Sequence, residues 1–221
     1  MNEIVLMADP LVADIPVKDC GEPLVDVSIR AFLKIDRRNA DASGDWLLLR
    51  AGLVNRLADA ASRLPEELCL LHIEGYRPPA LQASYFTAYY GQLAAIRSDL
   101  DADSLRRLAS RYVSPPEIAP HSAGAAIDLT LCTREGEELD MGTRVNASPE
   151  ASDNGCFTAA SNISRTARAN RAILTRALGA AGLVNYPTEW WHWSFGDRYW
   201  AWHTAHPTAI YGTRLRSDQD G

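Results

Sequence analysis

The 221-residue chain lacks a basic excess: 22 lysines and arginines stand against 28 acids, for a formal charge of −6. A general nucleic-acid binder needs a cationic face to neutralise phosphates, so that class is excluded. No apolar run approaches the roughly 18 residues of a membrane-spanning helix, and no membrane partner is expected. The opening MNEIVLMADP has an early acid, a short apolar run and no basic stretch before it, unlike a secretory signal. A soluble, cytoplasmic protein is the expectation. Cysteine is sparse, and Cys20, Cys69, Cys132 and Cys156 form no C-x-x-C pair, which argues against a zinc knuckle or a thioredoxin-like motif. Cys69 and Cys132, set in apolar runs, read as small core residues. No Gly/Ser/Pro-rich linker, repeat or low-complexity tract divides the chain. With 47% hydrophobic residues, one domain over 1–221 is expected, irregular over about 1–45 and with its core over about 46–205.

What is present is a loose mixture of helix and strand patterns. WLLLRAGLVNRLADAASRL, 46–64, spaces its apolar residues three and four apart and predicts an amphipathic helix stopped by Pro65. ELCLLHIEGYR predicts a buried strand and a turn, after which Pro78 and Pro79 suit the first turn of a helix. DADSLRRLASRYV predicts another helix, with Asp101 or Asp103 as its cap. AAIDLTL reads as a strand, 142–162 as a long loop of the kind that often carries function, and ISRTARANRAILTRALGAAG as the clearest helix, ending at a glycine. EWWHWSF reads as a buried strand. Several strands lack a crossover helix, so the predicted class is α+β, a largely antiparallel sheet with helices on one face.

Five histidines are available. His72 reads as structural, and His203 and His206 either share a helix face or lie in an exposed tail. His121 and His192 are the informative ones. Asp128 sits between Ile127 and Leu129, where a carboxylate is costly to desolvate without a partner. Two imidazoles and a carboxylate form a three-ligand set that leaves zinc an open position, as in catalytic sites. A divalent cation would also stabilise the buried Asp128. A second carboxylate must then carry the proton. Glu189 is near enough, provided it lies in a bend before the strand, because residues three apart on a strand face opposite ways. Arg77, locked by the prolines that follow, could oppose a developing oxyanion, or simply pair with Glu74.

EGYRPP, HSAGAAIDLTL, MGTR and EWWHW, in this order over about 70–195, resemble the zinc D-Ala-D-Ala dipeptidases of the VanX type. These belong to a wider group of D,D-peptidases that share a fold with the Hedgehog signalling domain. The resemblance implies one zinc ion per chain on His121, Asp128 and His192, with Glu189 as general base and acid and Arg77 at the oxyanion. It implies hydrolysis of a small D,D-dipeptide, in remodelling or recycling of cell-wall peptidoglycan precursors. Four positions depart from the pattern. Ala119 replaces a serine, and Ala123 stands where arginine is common. Val145 and Asn146 replace an aromatic and the aspartate that receives the substrate's ammonium group. Ser122, Asn146, Glu150 and Asp153 are the candidate substrate contacts, the last two as substitute charges. A different dipeptide, or one with a blocked amino end, is therefore expected to be preferred to free D-Ala-D-Ala. The rival readings are a zinc carboxypeptidase acting on larger peptidoglycan-type peptides, a non-catalytic zinc-binding module and a non-haem iron oxygenase.

Overall fold

The computed structural model describes residues 4–215. In chain order the elements are α1 (Pro10–Ala13), β1 (Leu24–Asp26), β2 (Leu33–Ile35), β3 (Leu48–Arg50), α2 (Ala51–Ser62), β4 (Leu68–Glu74) and α3 (Pro79–Ile96). They continue with α4 (Ala102–Ala109), β5 (Ala126–Thr133), α5 (Arg165–Ala180), β6 (Val184–Asn185), β7 (His192–Ser194) and α6 (Arg198–His203). The main sheet has the order β2-β4-β5-β7-β6; only β2–β4 is parallel. β1 and β3 form a separate antiparallel pair. This is the α+β arrangement the pattern predicts. No described helix is long and apolar enough to cross a membrane.

Alternation along β5 builds the two sides of the sheet. Ile127, Leu129 and Leu131 share one core with Leu53 and Leu57 of α2 and Leu174 and Leu178 of α5. Asp128, Thr130 and Cys132 face the other way; Thr130 and Cys132 are buried there, and Asp128 reaches a large cleft. α3 and α4 contribute little to the main core and pack on each other through Tyr89, Leu93, Leu105, Ala109 and Val113. Proline pairs bracket this helical hairpin, Pro78-Pro79 before it and Pro115-Pro116 after it.

Three boundaries differ from the sequence pattern. The helix expected over DADSLRRLASRYV, 101–113, stops at Ala109, and the last residues of that stretch form a turn. The helix expected over 46–64 begins only at Ala51, preceded by a 3₁₀ turn at Asp45–Leu47 and by β3. Long-range hydrogen bonds override the local propensity here. Asp41 accepts from the N–H groups of Asp45 and Trp46, while the carbonyls of Trp46 and Leu48 accept from Gly75 and Tyr76. Of EWWHWSF only His192–Ser194 is strand. Its first three residues form the bend that Glu189 requires, with the His192 N–H donating to the Glu189 carbonyl at 3.2 Å.

Candidate active site

Three adjacent strands converge on one point. Asp128 of β5 lies opposite His192 of β7 in register, and on its other side opposite Glu74 of β4, just past a bulge between His72 and Glu74. His121 comes from a 3₁₀ turn, His121–Ala123, closed by Gly124 at φ +64°. That glycine is required twice over: its φ is left-handed, and an added Cβ would stand 2.1 Å from Leu24 Cδ2.

All three side chains are buried. His121 Nε2 is 3.1 Å from His192 Nδ1 and 3.3 Å from Asp128 Oδ1, and His192 Nδ1 is 3.1 Å from Asp128 Oδ1. A tetrahedral ion with ligand bonds of about 2.0–2.1 Å holds its donor atoms about 3.3 Å apart, so this near-equilateral triangle matches one face of such a polyhedron. The hydrogen-bond pattern assigns the tautomer of His121. Its Nδ1 donates to the Gly75 carbonyl at 2.7 Å, which leaves a lone pair on Nε2 aimed at the carboxylate. A cation between them, whether a proton on Nε2 or a metal ion, turns this contact from repulsive to attractive. His192 Nε2 is buried without a hydrogen-bond partner, so the Nδ1 side of that ring carries its polar interactions. The donor set fits a divalent metal.

Burial alone would raise the Asp128 carboxyl; the imidazoles of His121 and His192 outweigh it and hold the group well below the usual carboxylate range. Burial pushes His192 down, with Asp128 opposing it. Glu189 behaves oppositely to Asp128. Burial, then the charge of Asp128, drive its pKa well above the ordinary value, and its Oε2 stands 3.8 Å from His192 Nδ1. Two buried carboxyls that share the His192 ring as a neighbour are thus driven in opposite directions.

Arg77 pairs with Glu74 through both ends of its fork, Nε to Oε1 at 2.6 Å and a terminal nitrogen to Oε2 at 2.8 Å. Its other terminal nitrogen donates to Gln82 Oε1 at 2.8 Å, and Tyr85 lies under the guanidinium at 5.0 Å. Asn39 also donates to Glu74, at 3.3 Å. This pairing was the plainer of the two sequence readings of Arg77, and the charge still faces the cleft. The cleft has a volume of about 900 Å³ and is lined by Arg77, His121, Asp128, Glu189 and His192 together with Tyr85, Tyr89 and Tyr112 of the hairpin.

The candidate substrate contacts are not all brought here. Asn146 lines the cleft in a left-handed backbone conformation, φ +61°, and its carbonyl accepts from the Tyr112 hydroxyl at 2.9 Å. Ser122 is fully buried and donates to the Arg77 carbonyl at 2.9 Å, so its hydroxyl holds the arginine's backbone rather than facing the cleft. Glu150 is engaged by Arg111 and the Tyr89 hydroxyl, both at 2.6 Å. Asp153 is exposed and lines a different surface pocket. The acidic loop therefore presents no free carboxylate beside Asn146. His203 and His206 are exposed and lie outside the cleft. His72 is structural: buried, it donates from Nε2 to the Trp46 carbonyl at 2.8 Å. Tyr112, in the turn after α4, and Gln82, in α3, were invisible in the sequence, because nothing local marks a residue that reaches a distant cleft.

A family model described as D-Ala-D-Ala dipeptidase, Peptidase_M15, matches residues 41–210. The chain belongs to this family of metallopeptidases. It is 28% identical to a D-alanyl-D-alanine dipeptidase of Synechocystis, over 91% of this chain and 95% of that protein. Shorter stretches match D-alanyl-D-alanine dipeptidases of Escherichia coli, 36% identical over 33% of the chain, and of Enterococcus faecium, 34% identical over 43%. Membership makes it a metal-dependent hydrolase of D,D-dipeptides, and the histidine–aspartate triangle offers a place for the metal.

Proposed function

We propose that the metal is a single zinc ion held by His121, Asp128 and His192, that Glu189 is the proton carrier, and that Arg77 stabilises the oxyanion. The observation that carries the reading is the 3.1–3.3 Å triangle of nitrogen and oxygen donors with Glu189 at its edge. Two imidazoles and one carboxylate are a zinc set with an open position. Bound zinc supplies a Lewis acid and lowers the pKa of a water molecule to about 7.

The chain's own groups then account for the rest. Glu189, with its pKa raised by burial and by Asp128, accepts a proton from the attacking water and returns it to the leaving amine. Arg77 cannot lose its proton while Glu74 flanks it, and its fixed charge opposes the negative charge that grows on the scissile carbonyl oxygen. Gln82 and Ser122 keep that charge in place through the side chain and the backbone. Replacing Glu189 with glutamine is expected to lower kcat by about 10²–10⁴-fold while one zinc per chain remains bound, read by D-alanine release and by metal analysis. Loss of zinc together with activity would assign Glu189 to metal binding instead.

The preferred substrate in this reading has a blocked amino end. Asn146 is neutral, Glu150 is consumed by Arg111 and Tyr89, and the cleft leaves room well beyond two alanines. Losing a charged acceptor costs roughly half the strength of the hydrogen bond to an ammonium group. Comparing kcat/KM for D-Ala-D-Ala and its N-acetyl derivative tests this; a strong preference for the free dipeptide would refute it.

A further inference from the structure

Cys69 and Cys132 are direct cross-strand partners in the β4–β5 ladder. Backbone geometry defines the type of pair. The Thr133 N–H donates to the Glu137 carbonyl and the Leu131 carbonyl accepts from the Leu139 N–H, both at 2.9 Å and both directed away from β4. Backbone polar groups alternate sides along a strand, so those of Cys132 point at β4, and the cysteines occupy a hydrogen-bonded pair. Such pairs set Cα atoms about 5.5 Å apart, inside the 4.4–6.8 Å span that disulfides use. Side chains directly opposite one another project to the same face, with Cβ atoms about 4.5–5.5 Å apart. A closure of about 1 Å would bring the sulfurs into bonding range. The neighbouring pair, Leu68 with Thr133, is the last of the ladder, which gives the local freedom for that closure.

We propose that Cys69 and Cys132 form a reversible disulfide, a redox-modification site on the sheet that carries Asp128. The two thiols differ in access, and that sets the order of events. Cys132 is buried and its thiol is pushed up to about 11, chiefly by burial, whereas Cys69 is partly exposed. The Cys69 thiolate attacks a small-molecule disulfide such as oxidised glutathione, forming a mixed disulfide and releasing one thiolate. The Cys132 thiolate then attacks the Cys69 sulfur and expels the second. Two protein thiols are oxidised, one external disulfide is reduced to two thiols, and the two protons given up by the cysteines end on the two released thiols.

The test uses metal-loaded full-length protein carrying Cys20→Ser, which removes the exposed competing thiol. After incubation with oxidised glutathione, alkylation and peptide mapping should show thiols falling from three to one per chain. Expected as well are a peptide pair joined through Cys69 and Cys132, no retained glutathione, and full recovery with dithiothreitol. Because the cross-link closes a long loop, the oxidised protein should melt several degrees higher. Cys132→Ala should stop at the Cys69 mixed disulfide, and Cys69→Ser should leave Cys132 reduced. A glutathione that remains on Cys69 while Cys132 is present would overturn the proposal. So would both thiols surviving conditions that fully oxidise the urea-unfolded protein, or a bridge that uses Cys156.

Discussion

At the scale of single residues, the site works by giving like groups unlike surroundings. Asp128 and Glu189 are both buried carboxyls, yet one touches two imidazoles and the other does not, and their proton affinities part in opposite directions. Arg77 depends on geometry as much as on charge. A lysine there keeps the charge but cannot make the two-pronged contact with Glu74 and the third bond to Gln82. Arg77→Lys is expected to lower kcat about 100-fold or more with little change in zinc content. A kinetically normal Arg77→Lys would mean the oxyanion is held elsewhere. His72 makes a separable contribution to acid stability. Burial lowers its pKa from 6.5 to about 4, and its Nδ1 has no hydrogen-bond partner to accept a second proton. Above pH 6.5 the ring is neutral in both folded and unfolded chains. Between 6.5 and 4 only the unfolded chain takes up the proton, so stability falls as pH falls, by about 3 kcal/mol across that window. Urea unfolding of the wild type and of His72→Gln at several pH values should show a shallower slope in the variant.

Elements and turns place these residues, and legibility was uneven at this scale. Asp128 announced itself, because a carboxylate in an apolar strand demands a partner. The bend at Glu189 followed from strand periodicity. The late start of α2 was not readable, since Trp46 and Leu48 give their carbonyls to a strand distant in sequence. Glu150 misled for a similar reason: its partners Tyr89 and Arg111 come from the hairpin, and composition does not reveal that a charge is already taken. Among the turns, the one at Gly124 is the most exacting. Gly124→Ala would meet both an unfavourable φ and the Leu24 side chain. A loss of about 2–4 kcal/mol is expected, with zinc affinity falling too because His121 rides on that turn. Thermal melting and competition with a chelating dye would measure the two effects separately.

Across the whole molecule, metal and fold are linked. An ion that binds only the folded chain stabilises it by about 4 kcal/mol at a thousandfold excess over Kd, or about 10 °C in Tm for a chain of this size. Stripping the protein with a chelator should therefore lower Tm by that order, and re-addition of zinc should restore it; an unchanged Tm would place the metal away from the buried triangle. The hairpin of α3 and α4 has a different standing. It leaves the sheet after Arg77 and the chain returns at His121, and the N–H of Arg77 donates to the carbonyl of His121 at 3.2 Å. The point of departure and the point of return are thus fastened to each other, independently of whatever lies between them. The segment between them brings Tyr85, Tyr89 and Tyr112 to the wall of the cleft and Gln82 to the Arg77 guanidinium. One excursion of the chain thus shapes both the space open to a substrate and the seat of the charge beside it, so the breadth of what the cleft admits and the pace of the chemistry are expected to change together when this segment changes.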